Sequence, residues 1–296
     1  MSNKTKGILC IMLSSFSWAV MGILVRLAGD VPSFQKSVFR NLVAMMAAGI
    51  FLLASRMKIK LKKGDMKWLI LRSAAGTIGL LGNFYALDRM MVADANMLNK
   101  LAPFFTVIVS VFLLKEALRV PQILCIATAF IGTLFVIKPG MTGMPMGPAM
   151  VAVLGGAGAG TAYSIVRLLQ KRGIPGPFIV FFFSMFSCVV VLPWVIPHYQ
   201  PMEGKQLACL LLAGCFASVG QFAVTAAYRF APAREISIYD YSQIIFSTLL
   251  GILFLNQIPD GWSFLGYTII IAASVAMFLY NGRREKTVRQ NTETQE

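Results

Sequence analysis

Residues 93–106 read ADANMLNKLAPFFT, and residues 234–247, 141 positions further on, read REISIYDYSQIIFS. Both stretches lead into an apolar run, and both carry polar groups at matching places. Asp94 falls on Glu235, Asn96 on Ser237, Asn99 on Asp240 and Phe105 on Phe246, without a gap. The same offset lays ILVRL (23–27) on SIVRL (164–168), with Arg26 on Arg167, and it lays Glu116 on Gln257. Few of these are identities. The repeated order of apolar spans and polar positions marks two copies of one unit, and such repetition bears on architecture before any single motif does.

Composition says what surrounds the unit. Of 296 residues, 57% are hydrophobic and 13% charged, against about 25% charged in a soluble domain. Apolar spans of about 20 residues, enough to cross a hydrocarbon layer, fall near 7–28, 34–55, 67–87, 92–114, 119–138, 148–170, 177–197, 206–228, 235–256 and 261–281. The expected fold is an all-α integral membrane protein of ten transmembrane helices in two inverted five-helix repeats. Repeat 1 covers 1–140, repeat 2 covers 141–282, and 283–296 form a polar cytoplasmic tail expected to be disordered. Five is odd, so the second copy enters the membrane from the opposite face. Inverted repeats place a substrate site near the midplane between the halves.

The formal charge of +15 follows this topology. Of the 27 Lys and Arg, 18 fall at the N-terminus, in alternate loops or in the tail, while Lys36, Arg89, Lys138 and Lys205 lie on the other side. The positive-inside rule then puts both termini in the cytoplasm of a multi-pass protein of the cell (plasma or inner) membrane. The remaining basicity suits anionic membrane lipids, and no nucleic acid is called for. Cys10, Cys125, Cys188, Cys209 and Cys215 all lie within spans and read as small buried hydrophobes. A single His198 supports no metal site. Lys4 and Lys6 before an apolar run imitate a signal peptide, but Arg26 ends that run as a helix flank does, so the segment reads as the first transmembrane helix.

Polar residues inside the spans carry the functional reading, because a charge near the bilayer centre costs about 2.5–3.5 kcal/mol on insertion scales. Asn96, Asn99 and Pro103 form an i, i+3, i+7 row with Lys100 beside it. Pro103 cannot donate to the Asn99 carbonyl and should kink the helix. Helical rise puts Lys100 roughly 5 Å outward of the span centre. Two readings stand for it, a cation facing the substrate, which is preferred, and a member of an interhelical ion pair. Arg40 reads either as a tie to Asp94 or Asp88 or as a ligand contact, whereas Arg72, Arg26 and Arg167 read as snorkelling side chains near helix ends.

In the ninth span Asp240 lies between Tyr239 and Tyr241, with Gln243 one turn on. Tyrosine combines a flat apolar face with a hydroxyl and suits an aromatic or heterocyclic solute, though the same rings pack between helices. Lys100 and Asp240 are expected roughly 10 Å apart in depth, a positive end and a negative end for a zwitterion. Tyr163 and Gln221 are placed toward the cavity as well. GGAGAG (155–160), Gly76, Gly79 and Gly82, and Ala213, Gly214, Ala217 and Ser218 let helices approach closely. The glycine run follows no strand, so it is not a phosphate-binding loop.

SWAVMGILVR, FRNLVA, NFYAL, VFLLKE and AYRFAPAREISIYDYSQIIFSTLLGILFLNQIP, in this five-plus-five plan, resemble the EamA-type drug/metabolite transporters over residues 7–281. The second half looks most like the branch that includes S-adenosylmethionine uptake carriers. The resemblance implies spans 1–4 and 6–9 around a central cavity, with spans 5 and 10 packed outside. Gln257 stands where the family usually has Glu, at a helix end, which puts packing or capping in question. The reading is a secondary transporter for a small polar, zwitterionic or carboxylate-bearing metabolite. No ATP-binding motif is present, so a gradient, with a coupling proton as one candidate, or exchange for a counter-substrate must drive it; Asp240 is expected to serve the substrate's cationic end or to bind such a proton. Alternatives are an S-adenosylmethionine or nucleoside-like metabolite carrier and a non-transporting scaffold. An enzyme is disfavoured, since no HExxH, GxSxG or paired-acid site occurs and no catalytic residue, cofactor or metal is called for.

Overall fold

The computed structural model describes residues 3–57, 59–114, 120–138, 146–230 and 237–293. Eleven α-helices and one 3₁₀ segment are found among them, with no strand. Helices α1 (Asn3–Leu27), α2 (Ser33–Ala54) and α3 (Asp65–Arg89) match the first three expected spans. The fourth is not one helix but two, α4 (Val92–Asn99) and α5 (Ala102–Leu114). Then follow α6 (Val120–Ile137), α7 (Met146–Lys171), α8 (Gly176–Val195) and α9 (Gly204–Phe230). The ninth span is also divided, into a 3₁₀ segment (Ser237–Tyr241) and α10 (Ser242–Leu255). The last helix is α11 (Gly261–Glu293).

Ten continuous transmembrane helices are therefore not what the chain forms. Among the described residues, seven helices are long and apolar enough to cross a membrane. The polar residues in spans 4 and 9 interrupt both. Helix α11 runs on through the segment expected to be disordered. After Gly282 that segment holds no Gly or Pro and is rich in Arg, Lys, Glu and Gln, good helix formers that can extend an existing helix.

Helix contacts follow the internal repeat. The two most extensive interfaces are α1–α9 and α3–α7. Exchanging the halves carries α1 into α7 and α3 into α9, so each of these interfaces is the image of the other. Two further large interfaces, α2–α8 and α6–α11, map onto themselves. The α6–α11 pair corresponds to spans 5 and 10, and these helices pack chiefly on each other.

Small residues make the α3–α7 contact possible. A Cβ on Gly79 would lie 2.9 Å from the Ala159 nitrogen, one on Gly82 2.9 Å from the Val151 carbonyl, and one on Gly158 2.8 Å from the Ala75 carbonyl. The backbones touch where side chains would otherwise hold them apart. Gly156 and Gly160, the GxxxG pair, face the broken span 4 instead, against the carbonyls of Leu98 and Ala102.

The end of the bundle carrying Leu27, here the distal end, is extensively tied. Arg26 does not snorkel; its Nη1 donates to the carbonyls of Leu87 and Asp88 at the end of α3. Lys36 pairs with the Asp88 carboxylate, which also accepts from Ser33 Oγ at 2.6 Å. Lys138 pairs with Asp260 at 2.7 Å, and Tyr267 donates to Asp94. Gln257 Oε1 accepts the backbone N–H of Val92 at 3.0 Å, capping the start of α4. The departure from Glu thus sits at a capping position. Residues 92–98 are buried throughout. At the opposite end Arg172 pairs with Asp65 at 2.7 Å, joining α7 to α3. Glu116 and Glu235 lie outside the described residues, as does the Arg167 side chain.

Candidate substrate-binding site

Pro103 has no N–H to give the Asn99 carbonyl, and the helix gives way just before it. Lys100 closes α4 with a tightened turn, its N–H shared between the carbonyls of Asn96 and Met97, both at 3.0 Å. The helix restarts at Ala102. The partner that the backbone requires at this break comes from the other half, since Tyr241 Oη donates to the Lys100 carbonyl at 3.3 Å. Under the 141-residue offset Lys100 and Tyr241 are equivalent positions, as are Asn99 and Asp240. The break in span 4 meets the 3₁₀ turn that leads into α10.

At that meeting point Lys100 Nζ pairs with the Asp240 carboxylate. This corrects the expected separation of roughly 10 Å, which assumed two unbroken helices at ordinary rise. The geometry found is the interhelical ion pair. Its Lys100 side chain is 12% exposed and its Asp240 side chain 31%. Asp240 also accepts from Ser15 Oγ of α1 at 3.1 Å. A cation at the C-terminal end of α4 is further favoured by the helix dipole. Tyr241 Oη also accepts from Ser274 Oγ on α11.

The other expected site residues divide. Asn96 is buried and donates to Ser247 Oγ at 2.8 Å, a tie between the two broken spans. Asn99 is half-buried, its carbonyl facing Gly156. Gln243 is buried on α10 and Tyr239 is 39% exposed. Among the described residues no hydrogen bond joins either to the ion pair. Gln221 is half-buried on α9 next to Gly220, which packs on Ser14 and Trp18 of α1.

Arg40 ties to neither Asp94 nor Asp88. Its Nη1 donates to Asn41 Oδ1 at 2.6 Å, Asn41 donates to Ser187 Oγ on α8 at 2.8 Å, and the Arg40 guanidinium lies 5.5 Å from the Trp18 ring. Arg72 is not a snorkelling anchor. It is buried, with its guanidinium 4.1 Å from the Phe183 ring. Seven residues into α3, it sits roughly 10 Å from the helix start, too deep to reach out. Tyr163 of α7 is 56% exposed, yet it lies within electrostatic reach of Arg40, Arg72 and Asp240.

Comparison with known proteins gives this arrangement a family. The model of the EamA-like transporter family matches the chain twice, over residues 5–138 and 147–279. This chain belongs to the EamA-like transporter family. It is 27% identical to the pseudopaline exporter of Pseudomonas aeruginosa over 275 residues, covering 92% of this chain and 95% of that protein. It is 23% identical to the riboflavin transporter of Vibrio cholerae, covering 97% and 98%. Human solute carrier family 35 member G1 is 24% identical, covering 91% of this chain and 78% of its own. A crystal structure 16% identical in sequence superposes with a TM-score of 0.65 over 93% of this chain and 98% of the other, a likeness of fold. The chain is thus a multi-pass EamA-like membrane transporter, and its two family matches fall one in each half.

Sequence reasoning missed Arg72, Ser15, Trp18 and Phe183 as members of this centre. Trp18 lies inside SWAVMGILVR, one of the quoted family stretches, but nothing in the sequence alone points it at Arg40. Arg72 was legible as a charge in an apolar run but not as a buried one.

Proposed function

We propose that this chain is a secondary transporter that moves a small polar metabolite, zwitterionic or carboxylate-bearing, across a cell membrane by alternating access, with its termini cytoplasmic. The observation that carries the reading is the Lys100–Asp240 pair, formed between the two halves where span 4 breaks and where a 3₁₀ turn leads into α10. Interrupted helices at a repeat interface are where transporters of inverted-repeat design hold substrate. A substrate carboxylate competes for Lys100 and a substrate ammonium for Asp240, so binding opens a bond between the halves. That is the differential affinity for two conformations which a population shift requires. A proton on Asp240 would open the same bond, and a counter-substrate would compete for it as the substrate does. The names of the exporter and riboflavin relatives support movement of organic solutes.

The test begins with thermal unfolding of purified protein against amino acids, nucleosides, S-adenosylmethionine and phosphorylated metabolites, because a ligand of the folded form raises its stability. A stabilising compound should then exchange across proteoliposomes in a counterflow assay. A compound that binds saturably but is not moved would favour the scaffold reading, and a flat screen would count against a small polar substrate.

A further inference from the structure

We propose that Arg40 and Arg72 form an oxyanion subsite, distinct from the Lys100–Asp240 pair, so that the substrate carries a carboxylate or phosphate group and is anionic overall. The identity of the bound group as substrate rests on the transporter reading; the subsite itself does not.

Both arginines are more than nine-tenths buried, at 5% and 6% exposure. Neither takes part in an ion pair among the described residues, where Lys36, Lys100, Lys138 and Arg172 all find carboxylates. Arg40 Nε and both Nε and Nη1 of Arg72 are buried without a hydrogen-bond partner. Each guanidinium instead lies near an aromatic ring, Arg40 by Trp18 and Arg72 on Phe183. A ring face attracts the cation but leaves the donors at the guanidinium edge unsatisfied. Gly76 makes room for this stacking, since a Cβ there would stand 3.0 Å from the Phe183 ring and 3.4 Å from Arg72 Nη1.

Buried charges are ordinarily paired, because leaving one unpaired is expensive. Arg40 reaches Ser187 through Asn41, and Arg72 stacks on Phe183 one turn earlier on α8, so the two cations stand in one neighbourhood and repel each other as well. The arrangement is therefore unfavourable for packing alone and favourable for an anion that both can reach. A guanidinium presents its donors in a planar fork that matches a carboxylate or phosphate. Tyr163 of α7 lies within electrostatic reach of both arginines and of Asp240. The charge count follows. Arg40, Arg72 and Lys100 against Asp240 leave an excess of two positive charges, which a monoanionic or dianionic solute reduces and a net cation worsens. A metabolite with an oxyanion at Arg40/Arg72 and an amine near Asp240 fits both ends.

The experiment measures thermal stability of detergent-purified protein with glutarate, L-glutamate and inorganic phosphate, against chloride and 1,5-diaminopentane at equal ionic strength. Wild type should be stabilised saturably by at least one oxyanion and by neither control; the better of carboxylate and phosphate names the group. Arg40→Gln and Arg72→Gln should each weaken that binding about 10- to 100-fold, the effect of losing hydrogen bonds to a charged group. The unliganded variants should be at least as stable as wild type, because an uncompensated cation has been removed. Arg72→Lys keeps the charge without the fork and should recover only part of the affinity. No oxyanion effect beyond chloride, an effect that survives in the double Gln variant, or a large loss of stability in unliganded Arg40→Gln and Arg72→Gln would each overturn the subsite. Binding that follows the arginines without transport in proteoliposomes would refute the transporter reading and leave the subsite standing.

Discussion

Breaking the Lys100–Asp240 pair from its two sides should give unequal costs. Removing one member of a buried pair costs about 3–5 kcal/mol, whereas exposed pairs contribute about 0–1 kcal/mol. Asp240→Asn strands a lysine that is 12% exposed, so its cost should lie near the buried limit, about 3 kcal/mol. Lys100→Met leaves a carboxylate that is 31% exposed and still bonded to Ser15 Oγ, so about 1.5 kcal/mol is expected, between the two limits. The double variant removes both charges and should lie close to wild type, giving a coupling of about 4.5 kcal/mol. Unfolding by SDS titration in mixed micelles, with all four proteins in one lipid–detergent mixture, measures the cycle. Two small and equal costs that simply add in the double variant would mean that the pair is screened by water and ties nothing. A larger cost for Lys100→Met than for Asp240→Asn would mean that Asp240, not Lys100, is the group most in need of its partner.

Two further expectations concern the frame. Gly158→Leu should separate α3 from α7, since even its Cβ would meet the Ala75 carbonyl at 2.8 Å, and cost about 3 kcal/mol or more; Gly147→Leu, with nothing within 4 Å, is the control for helix-surface effects in the same unfolding assay. Burial alone would raise the Asp260 carboxyl, but its bonds to Lys138 and Ser263 outweigh that and hold it below the ordinary carboxylate value. Its contribution is therefore complete above the ordinary value and fades as pH falls through the depressed one, so an acid titration of stability should lose a component in Asp260→Asn and in no variant elsewhere on that loop.

The repeat was legible because apolar spans and polar positions keep their order when the chain is laid on itself, even where identities are few. The role of Gln257 was legible as a cap for the same reason, since its position at a helix end is independent of where the helix points. Depth was not legible. Rise per residue converts number into distance only along a continuous helix, and both spans of interest are broken. Pro103 announces a kink at one break, but SIYDY contains neither Pro nor Gly, so the 3₁₀ segment has no signal of its own. Once the breaks are allowed, the expected positive and negative ends become one ion pair. Arg72 was misplaced because a charge near a helix start usually reaches for the interface.

The repeat also says what the opposite conformation should contain, if the halves exchange environments as proposed. The distal cap joins Gln257 of the second half to the Val92 N–H of the first. Subtracting and adding the offset turns this pair into Glu116 and Ala233, two residues outside the described parts of the chain. An inverted repeat places that image at the other end of the bundle, where a carboxylate at Glu116 would cap the segment leading into the 3₁₀ turn. The two caps should then be mutually exclusive, each belonging to one conformation. In a background lacking the five native cysteines, Val92→Cys with Gln257→Cys should cross-link readily in the conformation described here. Glu116→Cys with Ala233→Cys should cross-link only as the first pair becomes harder to trap, for instance on addition of a transported solute. A four-cysteine variant makes the exclusion measurable by mass spectrometry, because oxidation should yield molecules with one disulfide or the other. Molecules carrying both would mean that the two ends close together, and alternation between them would be refuted.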